Sequence, residues 1–380
     1  MRIGAGEVYR YSLPLNPPLA LRDRQLEQRE GLLLRLISEA GHEAWGEAAP
    51  LPGFSPEPFE RIARELEALV ARMPGYRFAD SYAEMEGAPL VRISGACSLS
   101  FAIEACYFGL KAAEAGVPLF HYLGGTDGKV PLNALLAGTA EQVLEKAGRV
   151  AGEGFTAVKL KVGGRPLAED IELVHEVRRV IGPEMELRLD ANRAWHILEG
   201  IEFGQAVRDC GIIYLEEPLK DPLKLIEWRK RVEVPYALDE TLHSFHQVLL
   251  QRRGGEKLPP TEEMAGRARL LVRLFEHAEA VVWKPTLAHV PNMGADLLRG
   301  EFALPIRRVV LSASFESGLG LGLVGHYAAA FSGRGVACGL DTYSWLGSDI
   351  LDTPLPIRHG VLHLEEAPTR PRLESLTRVA

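Results

Sequence analysis

The chain has 380 residues, 47% hydrophobic and 25% charged, with a formal net charge of −8. This suits one large or two smaller globular domains with a sizeable core, and an acidic balance without a Lys/Arg cluster speaks against a nucleic-acid or anionic-membrane partner. No apolar run approaches the ~20 residues of a membrane helix, and the first residues lack a signal-peptide core. Cys97, Cys106, Cys210 and Cys338 form no C-x-x-C pair, so buried, reduced thiols in a cytoplasmic protein are expected.

In chain order, "GEVYRYSLPL" and "REGLLLRLISEAGHEAWGEAAP" read as strands, the second pair turned at "AGHE". "NPPLALRDRQLEQ" between them reads as a polar loop, and "PLPGFSPEP" as a second loop rich in proline and glycine. Ser55 is the expected N-cap of the next helix, with Pro56 at its first position. "SLSFAIEACYFGLKAAEAG" reads as a helix closed by Gly116. Residues 1–125 therefore form an α+β unit. From 126 to 344 the rhythm changes to short apolar strands alternating with helix-length segments. Strands are expected near 132–138, 157–162, 186–191, 212–217, 236–240, 280–285, 308–314 and 336–341, mostly at the roughly 30 residues per unit of a TIM-type barrel. "QRRGGEKLPPTEEMAG" reads as a surface insertion, and 345–380 as a tail packing back onto the first domain. A doubly wound open sheet has the same alternation; the placement of polar residues decides between the two.

Asp190 closes "LRLD", Glu216 closes "IIYLE" and Asp239 closes "YALD", each an acid at the C-terminal end of an apolar strand on successive βα units. In a barrel these ends meet at one mouth. Taken singly, each acid is explained equally well as a helix cap or an ion-pair partner. Three in phase repel unless a cation joins them, and a hard, all-oxygen donor set points to Mg²⁺.

The stretch "TAVKLKVGG" carries Lys159 and Lys161 two apart on a strand that reads as buried, so both ammonium groups share one face. Lys284 ends the strand after Asp239. Ammonium groups thus flank the acids on both sides. Crowding and burial are expected to lower a lysine's pKa and make it a base. A divalent ion beside such a base suits abstraction of a proton α to a carboxylate.

K-x-K, D-A-N, E-E-P, D-E and K-P-T in this order resemble the enolase superfamily, over most of the chain. "VPLNALLAG", "LRLDANRAW", "YLEEPL", "WKPTL", "SASFESGLG" and "GLDT" are similar to its o-succinylbenzoate synthase family. The resemblance implies a modified (β/α)7β TIM-type barrel closed by an α+β capping domain. It implies Asp190, Glu216 and Asp239 as ligands of Mg²⁺, for which Mn²⁺ can substitute. Lys161 would be the base, Lys159 its electrostatic support, and Lys284 the stabiliser of the enediolate. Ser312 and Gly339 would contact the substrate's succinyl end, and Arg188 and Asn192 would complete the substrate-binding set from behind. Ala313 stands where serine is common in the family, a mild departure. The implied reaction is the syn-dehydration of 2-succinyl-6-hydroxy-2,4-cyclohexadiene-1-carboxylate to o-succinylbenzoate in menaquinone biosynthesis. The partner expected is therefore a small-molecule carboxylate. The loops around "NPPLALRDRQ" and "APLPGFSPEP" would close over it.

Two rival functions share these residues: racemisation or epimerisation of an N-acylamino acid or dipeptide, and a non-catalytic metal-binding barrel. "GLDT" favours the synthase, because dipeptide epimerases generally show D-x-D there. "GLGLVG" (320–325) matches G-x-G-x-x-G but is set apart from its strand by "ESGL". It is expected to bring backbone N–H groups to a substrate carboxylate rather than to bind a dinucleotide. The histidines show no metal-ligand spacing. Glu217 and Glu240 are expected to support the ligands or face outward, and a pairing of Glu316 with a strand lysine is left open.

Overall fold

A computed structural model describes residues 1–21, 25–79, 96–242, 270, 272–288 and 308–380. Strands β1 (Ile3–Ala20), β2 (Gln25–Ser38) and β3 (Glu43–Ala48) form an antiparallel sheet. Helices α1 (Phe59–Val70) and α2 (Cys97–Ala115) pack on it, and the one-turn helix α3 (Leu119–Tyr122) follows α2. Gly46 lets α2 lie directly on β3, since a Cβ there would overlap the Ala102 carbonyl. Gly116 ends α2 with a φ of 67°, the left-handed cap its position suggested.

Two local expectations are corrected. The polar loop after Leu15 is largely strand: Leu19 pairs with Leu26 and Ala20 with Gln25, after a register shift beyond Pro14. Cross-strand pairing there overrides local polarity. Ser55 does not cap α1, which starts at Phe59 behind Pro58. The Ser55 hydroxyl instead accepts from the Leu51 N–H, closing the loop on itself.

The second unit begins with β4 (Lys129–Pro131) and β5 (Asn133–Leu136), followed by α4 (Ala140–Gly152), which is opened by a Thr139–Gln142 capping box. Then come β6 (Ala157–Lys161), α5 (Leu167–Ile181), β7 (Glu186–Asp190), α6 (Ile197–Ala206), β8 (Ile212–Glu216), α7 (Leu225–Arg229) and β9 (Tyr236–Leu238). Strands β10 (Ala280–Trp283) and β11 (Val309–Leu311) and helix α8 (Gly318–Phe331) complete the run. Strands β5 to β11 form one parallel sheet in sequence order. The eighth strand expected near 336–341 is reduced to two bridges, Leu132 with Cys338 and Ser312 with Gly339. These join β5 to β11 and close the ring, which excludes the open doubly wound sheet. The insertion expected at 251–266 lies outside the described residues.

The tail supplies β12 (Ile357–Arg358), which pairs with β13 (Val361–His363), itself paired with β4, and β14 (Thr377–Arg378), which pairs with β1. All four cysteines are free and buried. No described helix is long and apolar enough to cross a membrane.

Two buried side chains of the first unit grip the barrel. Arg29 donates to the carbonyls of Ala49, Pro50 and Phe315. Glu47 accepts from Tyr11 Oη at 2.6 Å, from the N–H groups of Ser317 (3.0 Å) and Gly320 (3.1 Å), and from the Ser317 hydroxyl. Burial pushes the Glu47 carboxyl up to about 7. Its position corrects the reading of "GLGLVG": those glycines lie inside α8, whose first N–H groups serve Glu47 and not a substrate.

His326 on α8 is buried with Nδ1 unpartnered and its ring stacked on Phe120 at 5.8 Å. Burial lowers its pKa from 6.5 to about 4. A depressed folded pKa means that its contribution to stability is complete above pH 6.5 and is lost as pH falls through about 4, in all about 3 kcal/mol. Chemical denaturation at pH 7 and pH 4.5 should show a drop in wild type that is much smaller in His326→Phe; equal drops would remove His326 as the cause.

Candidate active site

Strand alternation places the site. Lys159 and Lys161 face the barrel interior while Val158 and Leu160 face the helices. Lys161 pairs in register with Asp190, and Asp190 with Glu216. One layer deeper, Lys159 is level with Arg188, and Arg188 with Tyr214. Asp239 follows β9 directly. Asp190, Glu216 and Asp239 are at most 2% exposed.

The amines and acids neutralise one another. Lys159 Nζ lies 2.8 Å from both Asp190 Oδ2 and Glu216 Oε1. Lys161 Nζ donates to Asp190 Oδ2 at 2.6 Å and to Asn192 Oδ1 at 2.7 Å, and Lys284 donates to Asp239. Burial opposes charge on Asp190, but Lys159 and Lys161 outweigh it and hold this carboxyl well below its usual range. Lys284 likewise outweighs burial at Asp239. At Glu216, burial and the neighbouring Asp190 push the pKa well up.

The expected depression of the lysine pKa values is corrected for two of the three. Burial lowers Lys159 and Lys284, yet both end above the normal range, because their nearest neighbours are carboxylates: Asp190 and Glu216 for Lys159, Asp239 for Lys284.

Among the described residues no three acid, His or Cys side chains stand close enough to be a ready-made metal set. Asp190 and Glu216 converge on one amine, while Asp239 is turned to Lys284. The donor chemistry nonetheless fits a hard divalent cation: three buried carboxylates on adjoining strands, with Glu216 Oε2 lacking any hydrogen-bond partner.

A cavity of about 870 Å³ opens over this layer. Lys159, Lys161, Lys284, Asn192, Ser312 and Gly339 line it, together with Pro17 and Leu19 from the end of β1 and Leu51 and Phe54 from the loop after β3. Arg188 does not, which corrects its place in the substrate-binding set. It fills the barrel interior one layer down, donating to the Ala337 carbonyl and to Glu186, with its guanidinium over the Tyr214 ring. Being two residues before Asp190, it shares the face but lies ~6–7 Å deeper.

Sequence reasoning missed Asn133, Thr342, Arg193 and Lys220, which also line the cavity. Asn133 carried a signal, as a polar residue opening an apolar barrel strand. Glu316 pairs with no lysine; it accepts from Thr286 and Ser314. Glu240 takes a bond from Asn192.

Glu217 does not face outward. It is fully buried, with a φ of 41°. It accepts from the N–H groups of Asp239 (3.0 Å) and Thr241 (2.6 Å), the Thr241 hydroxyl (2.9 Å) and Arg193 Nε (2.9 Å). One carboxylate thus fixes the ends of three strands.

Comparison with known proteins agrees with this geometry. Residues 142–251 match the family described as enolase C-terminal domain-like, and residues 3–98 that described as MenC, N-terminal domain. The fold is shared with the L-Ala-D/L-Glu epimerase of Bacillus subtilis (TM-score 0.75, 22% identity, 98% of each chain). It is shared too with a magnesium-complexed enolase-superfamily member of Roseovarius nubinhibens (TM-score 0.79, 22% identity, 100% of this chain and 98% of that one). The chain shares the enolase-superfamily architecture and is an enzyme. Within that class it is similar to o-succinylbenzoate synthases, which are lyases. It is 29% identical to that of Haemophilus influenzae over 90% of this chain and 91% of the relative, and 29% to that of Enterobacter sp. over 92% and 95%. It also matches protein PHYLLO of Arabidopsis thaliana at 29%, spanning only 21% of that longer protein.

Glu217→Ala leaves the Asp239 and Thr241 N–H groups without their acceptor, at a cost of about 3 kcal/mol. Urea unfolding measures this; stability within 0.5 kcal/mol of wild type, roughly the size of an ordinary surface substitution, would show that the carboxylate does not hold the rim.

Proposed function

We propose that the protein catalyses the Mg²⁺-dependent syn-dehydration of 2-succinyl-6-hydroxy-2,4-cyclohexadiene-1-carboxylate to o-succinylbenzoate, a step of menaquinone biosynthesis. The observation that carries this reading is the ring of charged strand ends at the cavity: Lys161 and Lys284, which line it, stand four strands apart in the sheet, and the buried Asp190, Glu216 and Asp239 end the strands between them. The similarity to o-succinylbenzoate synthases along both chains supports the choice of substrate.

Asp190, Glu216 and Asp239 would hold the ion, Mn²⁺ serving in place of Mg²⁺. When bound, it supplies positive charge against the substrate carboxylate as negative charge builds there. Lys161 is the most exposed of the three amines, its side chain 37% accessible, and opens directly into the cavity. In its neutral form it removes the proton α to the carboxylate. Asn192 orients it through the 2.7 Å bond to Nζ. Lys159, buried between two acids, adds fixed positive charge beneath. Lys284 stays protonated and faces the enediolate from the opposite wall. Hydroxide then leaves C6, takes the proton back from Lys161 and departs as water while the ring becomes aromatic. One base on one face does both transfers, as a syn elimination requires. The end of β1 carrying Leu19 and the loop carrying Phe54 exclude water. The reaction needs neither a membrane nor a nucleic acid, and a cytoplasmic location accords with it.

Epimerisation is the second reading, since two opposed amines also suit 1,1-proton transfer and dipeptide epimerases share the fold. Purified protein with Mg²⁺ should consume the diene, followed by its absorbance. EDTA should stop turnover and added Mg²⁺ or Mn²⁺ should restore it. Lys161→Ala should lose on the order of 10²–10⁴ in kcat. No turnover by wild type, or full activity in Lys161→Ala, refutes the proposal, and α-deuterium exchange into a dipeptide without dehydration of the diene selects the second reading.

A further inference from the structure

Asp341 is the one acid lining the cavity among the described residues. It begins the turn Asp341–Trp345, just after the bridges of Cys338 and Gly339 that close the ring. That closing segment is four steps around from β8, so Asp341 stands across the mouth from Glu216. It is not free to meet a ligand's charge. Lys146, from α4, donates to Asp341 Oδ2 at 2.8 Å, and the Leu135 N–H donates to the same oxygen at 3.0 Å. Both side chains are largely covered, 24% exposed for Lys146 and 15% for Asp341. A second acid beside it at Gly339 would require Ser312 to shift, since a Cβ there would lie 2.5 Å from Ser312 Oγ. On the rest of the wall the Lys220 ammonium has only His196 as a hydrogen-bond partner and no carboxylate partner among the described residues.

We infer that Lys146 is a specificity-determining residue. By neutralising Asp341 it leaves the far wall of the cavity without net negative charge, so that a substrate whose distal end is a carboxylate is accepted and one whose distal end is an ammonium is refused. The inference rests on the proposed reaction only for the direction in which the substrate lies. A carboxylate brought against an unpaired Asp341 would be repelled, and an ammonium attracted.

The test is equilibrium binding to the Mg²⁺-loaded protein by titration calorimetry, with o-succinylbenzoate as the anionic probe and L-Ala-L-Phe as the ammonium-bearing one. Lys146→Met should weaken o-succinylbenzoate about tenfold or more and tighten the dipeptide. Lys146→Met/Asp341→Asn, neutral again, should return both affinities towards wild type; Lys146→Gln serves if the methionine variant does not fold. Equal weakening of o-succinylbenzoate in the single and double variants means that Lys146 acts by packing and overturns the inference, as does unchanged affinity in both or failure of wild type to bind o-succinylbenzoate. A wild type that shows these charge-dependent shifts but does not dehydrate the diene refutes the proposed reaction and leaves the assignment of Lys146 intact.

Discussion

Burying Asp190, Glu216 and Asp239 at the mouth of one barrel is tolerable only because three ammonium groups stand against them. An isolated carboxylate so desolvated would take up a proton or unfold the mouth. Lys159 bridges two of the acids at 2.8 Å each, and Lys161 and Lys284 close the arrangement on either flank. This mutual neutralisation also sets the chemistry. Lys159 and Lys284 are held as cations by the acids that they hold, while Lys161 is the best exposed of the three amines.

The mouth is framed from outside by the first unit. Arg29 and Glu47 reach across to the segment 314–320, the first through carbonyls and the second through the opening N–H groups of α8. Ser312, which lines the cavity, stands a few residues before those contacts. Leu19 at the end of β1 and Phe54 in the loop after β3 line the cavity from the unit that Glu47 anchors. The residues that cover the cavity and those of the segment beside Ser312 are therefore joined through two buried charged side chains.

Much of this was legible in the residues. The acids showed because each interrupts an apolar run at the same point of a repeating unit, and the two lysines because parity puts residues 159 and 161 on one face. Parity gives the face but not the depth, so Arg188 was grouped with the cavity when it fills the barrel below. Local polarity mistook the strand ends around Leu19 and Leu26 for loop, because pairing with a neighbouring strand is invisible to a window on one segment. Ser55 had the composition of a cap, but Leu51 supplied a nearer donor for its hydroxyl. Glu217 looked redundant beside Glu216 until a left-handed φ turned it to gather N–H groups from Asp239 and Thr241.

The sequence by itself determined the alternation of strands and helices, the ring of polar ends and the identities of the six charged groups. These are properties of local period and residue type, and a single segment carries them. Only the tertiary structure decided which charge answers which. Lys146 meets Asp341 across 195 residues, and Glu47 meets the Ser317 N–H across 270. Such pairings are set by how the ring closes and how the first unit docks on it. No short stretch of chain encodes them, because each partner's own surroundings would be equally satisfied by another ion of opposite sign or by water.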